Sequence, residues 1–134
     1  MPHTQPNILF LTTDQQRFDC LGVNSGGFVQ TPNLDRLAKE GVRFTHAYAA
    51  APVCSPYRAA LLTGQHPARV GIIDYLRPNS SNALPVSQVT LPEILSKHEY
   101  ATGMVGKWHL TGYKHHGAEF EVRPTDHGFG WNTG

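Results

Sequence analysis

The sequence predicts an α/β fold built on a mainly parallel sheet, and three observations predict it. A short, continuous apolar run near the start, Asn7-Ile8-Leu9-Phe10-Leu11-Thr12-Thr13, has the pattern of a strand buried on both faces. Helix signals follow at Thr31-Pro32 and again at Ser55-Pro56 and Thr90-Leu91-Pro92-Glu93. Between and after these helices lie further strand candidates, so strand and helix alternate along the chain.

The elements follow in order. The first strand stops at the abruptly polar Asp14-Gln15-Gln16-Arg17. Gly26-Gly27 is most simply a turn. In the helix from Thr31 to Gly41, Thr31 is placed to cap the amino end and Pro32 suits the first turn. Leu34, Leu37 and Ala38 fall on one face, and Gly41 ends the helix. Residues Val42 to Ala49 form the second strand candidate. The helix opened by Ser55-Pro56 runs through Leu62 and closes at Gly64. Arg77 to Ser87 is a loop rich in Asn, Ser and Pro. A capping box at Thr90–Glu93 opens a helix to about His98. Ala101 to Lys107 is the third strand candidate. After Leu110 the sequence shows no regular element.

A chain of 134 residues corresponds to about one domain. Three strands fall below the usual four to six of a stable sheet. The last of them also leaves an edge exposed. Residues 1–134 are therefore expected to be the amino-terminal part of something larger.

Composition removes several functions. With 40% hydrophobic residues, 11 basic and 10 acidic side chains and a net charge of +1, the chain is neither a charged disordered tail nor a polybasic nucleic-acid or membrane-surface binder. Two cysteines, Cys20 and Cys54, allow at most one disulfide. No apolar stretch approaches the roughly 18–20 residues of a membrane span. Met1 to Pro6 lacks the apolar core of a secretory signal, so a cytoplasmic location is expected if Met1 is the true start.

Two places carry chemistry. Ligands collect at the carboxyl ends of strands in open parallel sheets, and Asp14-Gln15 sits at such an end. A carboxylate beside an amide oxygen suits a hard divalent cation. The plainer alternative is that Asp14 caps a turn. Cys54 lies at the mouth of a short helix, where the dipole favours an anion, and Arg58 is one turn along. A cysteine phosphatase fails on spacing, because it needs five residues between Cys and Arg and this chain has three. A buried structural cysteine is the bland alternative.

The run Cys54-Ser55-Pro56-Tyr57-Arg58-Ala59-Ala60-Leu61-Leu62-Thr63-Gly64 resembles the signature of the type I sulfatases, in the alkaline phosphatase superfamily. Gly103-Met104-Val105-Gly106-Lys107-Trp108-His109-Leu110 resembles that family's second signature. Pro6 to Leu9 leading to Asp14-Gln15, then Thr31 to Asp35 and Gly41 to Phe44, resemble its opening strand, helix and next strand. The resemblance implies an alkaline phosphatase-like fold, of which this chain is an incomplete amino-terminal portion.

It also implies a mechanism. Cys54 would be oxidised to formylglycine by a formylglycine-generating enzyme. The hydrated aldehyde would attack the sulfur of a sulfate ester through one hydroxyl, and loss of a proton from the second would expel sulfate. Asp14, Gln15 and the converted Cys54 would bind the metal, with Ca²⁺ expected and Mg²⁺ or Mn²⁺ as alternatives. Gln15 stands where many relatives have a second Asp. Arg58 would hold the diol, Lys107 would bind a sulfate oxygen, and His109 would hydrogen-bond the diol or the sulfate. Lys107 and His109 are two residues apart, so in an extended segment they face one way. In isolation Lys107 is a solvated strand end and His109 a satisfied loop histidine. Tyr57 departs from the Ser common at its position, but the Cys, Pro and Arg read by the converting enzyme are all present. The substrate would be a sulfated small molecule or glycan.

Other signals are set aside. Asp126-His127-Gly128 follows the second signature too closely to be the family's later metal pair, which is expected beyond Gly134. His115-His116 lacks a third ligand. Asn79-Ser80-Ser81 matches a glycosylation acceptor without a secretory signal. Gly103 to Lys107 has the wrong glycine spacing for a phosphate loop. The competing functions are a phosphonate monoester or phosphodiester hydrolase of the same superfamily, an inactive fragment, and a simple thiol enzyme using Cys54.

Overall fold

The computed structural model describes residues 5–77, 80–112 and 121–134. Asn79 and the His115-His116 pair lie outside the described residues. The chain divides into two compact units, Met1–Ala47 and Tyr48–Gly134.

In the first unit, a 3₁₀ turn at Phe18–Cys20 leads into a single helical turn, α1 (Gly22–Ser25), and then into α2 (Pro32–Glu40). Thr31 does not cap α2 through its side chain. Its hydroxyl instead accepts from the Gly22 N–H at 2.8 Å and donates to Asp35 Oδ1 at 2.8 Å. Asp35 Oδ1 also accepts from the Val23 N–H at 3.0 Å. The start of α2 thus satisfies the open amides at the start of α1, which that one-turn helix cannot satisfy alone. Gly41 closes α2 as expected, its N–H donating to the Leu37 carbonyl at 2.9 Å. Arg43 then donates to the Val23 carbonyl at 3.0 Å.

The expected strands at 7–13 and 42–49 form no ladder among the described residues. Ile8 to Leu11 are 59–83% exposed. A strand exists through its neighbours' hydrogen bonds, and no described residue supplies them here. The apolar composition of these runs was legible; their pairing is a non-local property.

The second unit holds the core. It opens with α3 (Cys54–Thr63), which ends where Gly64 adopts a left-handed φ of 66° and donates to the Ala60 carbonyl at 2.8 Å. A 3₁₀ turn at Pro67–Val70 follows. Ala59 of α3 packs with Val70, Ile72, Leu76, Leu84 and Leu110, all buried, with Leu62 and Trp108 against them. Ile72, Leu84 and Leu110 are completely buried, each worth about 1.5–3 kcal/mol of transfer free energy. Leu84 is held by its N–H to the Leu110 carbonyl at 2.9 Å, beside an isolated antiparallel bridge between Ala83 and Thr111.

The capping box of α4 (Leu91–Lys97) forms as expected, with the Glu93 carboxylate accepting from the Thr90 N–H at 2.7 Å. The buried Thr90 hydroxyl also donates to the His127 carbonyl at 2.7 Å. That bond ties α4 to a 3₁₀ turn at Pro124–His127.

The third strand candidate forms as β1 (Gly103–Val105), paired in parallel with β2 (Trp131–Thr133) in the register Gly103 to Trp131, Met104 to Asn132 and Val105 to Thr133. The 3₁₀ turn and β2 correct the expectation of no regular element after Leu110. Gly103 lets the Trp131 ring lie close, because a Cβ at that position would come within 2.2 Å of the ring and force it or the strand to shift. The pairing is parallel, as an α/β architecture demands. No helix among the described residues is long and apolar enough to cross a membrane.

Candidate active site

The site is built where α3 begins and β1 ends. Cys54 is the first residue of α3 and is half-buried; Val53 before it is extended and offers no side-chain cap. Pro56, buried in the first turn, brings no N–H. Tyr57 makes the first helical bond, its N–H donating to the Val53 carbonyl at 3.1 Å. One turn from Cys54, Arg58 Nη1 donates to the Lys107 carbonyl at 2.5 Å. This bond joins the two motif segments across 49 residues of sequence.

Beyond β1 the chain leaves the extended region. Gly106 has φ 100° and His109 φ 51°. Lys107 and His109 therefore do not face one way by strand alternation; a turn, not a strand, presents them. Lys107 is exposed. His109 is half-buried, and its Nε2 lies 2.9 Å from the Leu76 carbonyl oxygen. A carbonyl only accepts, so Nε2 carries the proton. Nδ1 is buried and has no hydrogen-bond partner. The Leu76 carbonyl thus fixes the ring's orientation and leaves Nδ1 as the ring atom facing the site.

Leu76 is itself fixed. Its N–H donates at 3.0 Å to the hydroxyl of Ser55, which is completely buried in the first turn of α3. A continuous path runs from the residue after Cys54, through the backbone of the single residue Leu76, to the His109 ring. Trp108, between Lys107 and His109, anchors the turn. Its indole N–H donates to the Val122 carbonyl at 3.1 Å, and its ring lies tilted at 5.6 Å from His127 and edge-on at 6.5 Å to Phe129.

The tempting Asp126-His127 pair has structural partners. Asp126 accepts from the Arg123 N–H at 2.8 Å, and the completely buried His127 places Nε2 3.3 Å from the Leu84 carbonyl. Sequence reasoning missed Ser55 and Leu76. Leu76 acts through its backbone, which leaves no sequence signal, and the signal for Ser55 was only its place between Cys54 and Pro56.

Asp14 and Gln15 belong to the first unit. Both are exposed in a bend after the 7–13 segment, Gln15 with a left-handed φ of 55°. Among the described residues no three His, Cys, Asp or Glu side chains are grouped to hold a metal. The oxygen donors of Asp14 and Gln15 match a hard cation in kind. Ca²⁺ takes about 6–8 oxygens, so they supply part of a coordination set.

A helix start bearing a thiol, an arginine one turn on and a loop lysine and histidine beyond a parallel strand define an alkaline phosphatase-like α/β architecture, and solved neighbours share it. One is the crystal structure of Ps i-CgsB in complex with k-i-k-neocarrahexaose, 34% identical with a TM-score of 0.75, covering 88% of this chain and 25% of that one. Within that architecture the chain belongs to the sulfatase family, whose model matches residues 6–134. It is 44% identical over 131 residues to mouse (Mus musculus) steryl-sulfatase, covering 92% of this chain and 21% of that protein. It is 44% identical over 125 residues to bovine (Bos taurus) arylsulfatase A, covering 92% and 24%. The chain thus spans less than a quarter of the length of these two relatives.

Proposed function

We propose that this chain supplies the nucleophile-bearing part of an enzyme that hydrolyses sulfate monoesters, with Cys54 converted to formylglycine. The observation that carries the reading is the 2.5 Å bond from Arg58 to the Lys107 carbonyl, which joins the cysteine helix and the lysine–histidine turn within one unit.

The hydrated formylglycine supplies an oxygen nucleophile where an unmodified side chain would supply a weaker one. A divalent cation would supply Lewis acidity, and Asp14, Gln15 and the converted residue 54 are the side chains of this chain that would offer it ligands. The remaining work falls to side chains of this chain. The α3 amino terminus places its positive dipole end at residue 54 and favours an anion there. The Arg58 guanidinium, one turn along α3, orients the residue 54 side chain by charge-assisted hydrogen bonds. Lys107 binds a sulfate oxygen and stabilises charge that develops on it. His109, protonated at Nε2, offers its Nδ1 lone pair to an O–H group of residue 54 and accepts the proton there. The substrate is a sulfated small molecule or saccharide. One solved neighbour was crystallised with a neocarrahexaose, which supports the saccharide class.

The test is peptide mass spectrometry across Cys54 from a host with the maturation machinery, paired with turnover of 4-nitrophenyl sulfate and of an aryl phosphonate ester. Conversion lowers the peptide mass by about 18 units. The expected result is that decrease, with aryl sulfate preferred. A converted residue 54 with phosphonate turnover dominant would place the chain with the phosphonate hydrolases. Full activity with an unconverted, alkylatable thiol would overturn the reading.

A further inference from the structure

Beside the candidate active site lies a cavity of about 410 Å³, within the span of small-molecule sites. Leu76, whose carbonyl orients His109, lines it. Tyr75 also lines it, and its ring centroid lies 6.4 Å from that of His109. The cavity and the candidate catalytic histidine therefore share a wall.

The polar groups of the cavity have a distinct character. The Arg77 guanidinium lies over the Tyr75 ring, 5.4 Å from its centroid. Among the described residues it has no carboxylate partner. Stacking on an aromatic face holds a guanidinium in place while leaving its planar fork available for an oxyanion. Asp74 uses Oδ1 to accept from the Tyr75 N–H at 2.8 Å. Asn82 donates through Nδ2 to the Gly71 carbonyl at 3.1 Å, which fixes its amide and leaves Oδ1 as an acceptor. A carboxylate and an amide oxygen accept from hydroxyl groups; a stacked arginine takes an anion. A fused hydrocarbon ligand would leave these groups desolvated and unmatched.

We propose that this cavity is the leaving-group subsite, built for a saccharide that carries a second oxyanion near the sulfate under attack. Arg77 holds that oxyanion, a sulfate or a carboxylate, and Asp74 and Asn82 accept from ring hydroxyls. The proposal rests on the sulfate-ester reading above and names its substrate class.

The experiment compares a sulfated disaccharide bearing a second sulfate with one lacking it, and a third arm replaces the second sulfate by a uronate carboxylate. Affinities are measured by calorimetry on the Cys54→Ser protein, so the result does not depend on turnover. The expected result is tighter binding of the doubly anionic ligands, and a fall in that preference of about 10-fold or more in Arg77→Ala, the range of a charge-assisted hydrogen bond. Arg77→Lys should recover part of it. The two anion sources are separated by which doubly anionic ligand shows the larger loss. An unchanged preference in Arg77→Ala overturns the subsite, as does tighter binding of a neutral steroid sulfate than of either disaccharide. If the preference holds while the mature enzyme turns over no sulfate ester, the hydrolysis reading fails and takes the leaving-group role with it, and only the anion-binding cavity stands.

Discussion

Ser55→Ala isolates the path that orients His109. The Ser55 hydroxyl is completely buried and is the acceptor for the Leu76 N–H at 3.0 Å. Removing one oxygen leaves almost no cavity, so the packing term is small. What remains is a buried donor without its partner, which costs about 1–3 kcal/mol. For a chain of this size that corresponds to a melting-temperature loss of about 2–8 °C per kcal/mol. The Leu76 amide should exchange with solvent faster than its buried neighbours, such as Ile72 and Leu84. Freed from that anchor, the Leu76 carbonyl shifts against His109 Nε2, 2.9 Å away. A displacement on the order of 1 Å at a catalytic group costs about 100-fold in rate. Nuclear magnetic resonance of the His109 ring nitrogens reports the tautomer without requiring activity. If Ser55→Ala keeps Leu76 protection and the Nε2-protonated signature at wild-type levels, the path from α3 to His109 carries no positional information, and the reasoning is refuted.

Further outcomes follow from single contacts. Lys107→Ala should lower kcat/KM for an aryl sulfate by about 100–1,000-fold, the effect of removing one preorganised donor; wild-type rates would remove Lys107 from the site. Gly103→Ala should separate β1 from β2, because the new methyl would meet the Trp131 ring at 2.2 Å; loss of amide protection on Gly106, whose N–H donates to the Thr133 carbonyl at 2.8 Å, reads this directly. In the first unit, Arg17 hydrogen-bonds Asp19 at 2.9 Å and holds its carboxyl below the usual carboxylate range. A lowered value means that this contribution to folding is present at neutral pH and fades as pH falls through the lowered value. Because Asp19 is exposed the effect is small, and a carboxyl titration that returns to the ordinary midpoint in Arg17→Ala checks it.

What the sequence disclosed follows the range of each interaction. Helices α2, α3 and α4 were legible because their proline starts and their stops at Gly41 and Gly64 are local chemistry. The Thr31 hydroxyl was assigned to the wrong helix because its partner, the Gly22 amide, lies nine residues upstream. β2 was missed because three residues flanked by Gly130 and Gly134 carry too little pattern; the aromatic Trp131 and β-branched Thr133 were the available signal. The site residues Cys54, Arg58, Lys107 and His109 were nominated by motif resemblance. Their physical linkage was not legible, since it runs through the backbone carbonyls of Lys107 and Leu76.

That linkage explains why arginine, and not simply a positive charge, belongs at position 58. A lysine ammonium is a point charge on a flexible stem and must share its direction between two partners. A guanidinium is a rigid fork with five donors. With Nη1 on the Lys107 carbonyl, the plane of the fork is fixed against the turn that presents Lys107 and His109. Its position one turn from Cys54 on the same helix puts the fork within reach of the proposed nucleophile. Arg58→Lys keeps the charge and loses the bridge. It should therefore cost both stability and kcat, whereas an arginine that served only as a counter-charge would tolerate the exchange. Unchanged melting and unchanged kcat in the Arg58→Lys enzyme would show that the bridge to Lys107 organises nothing.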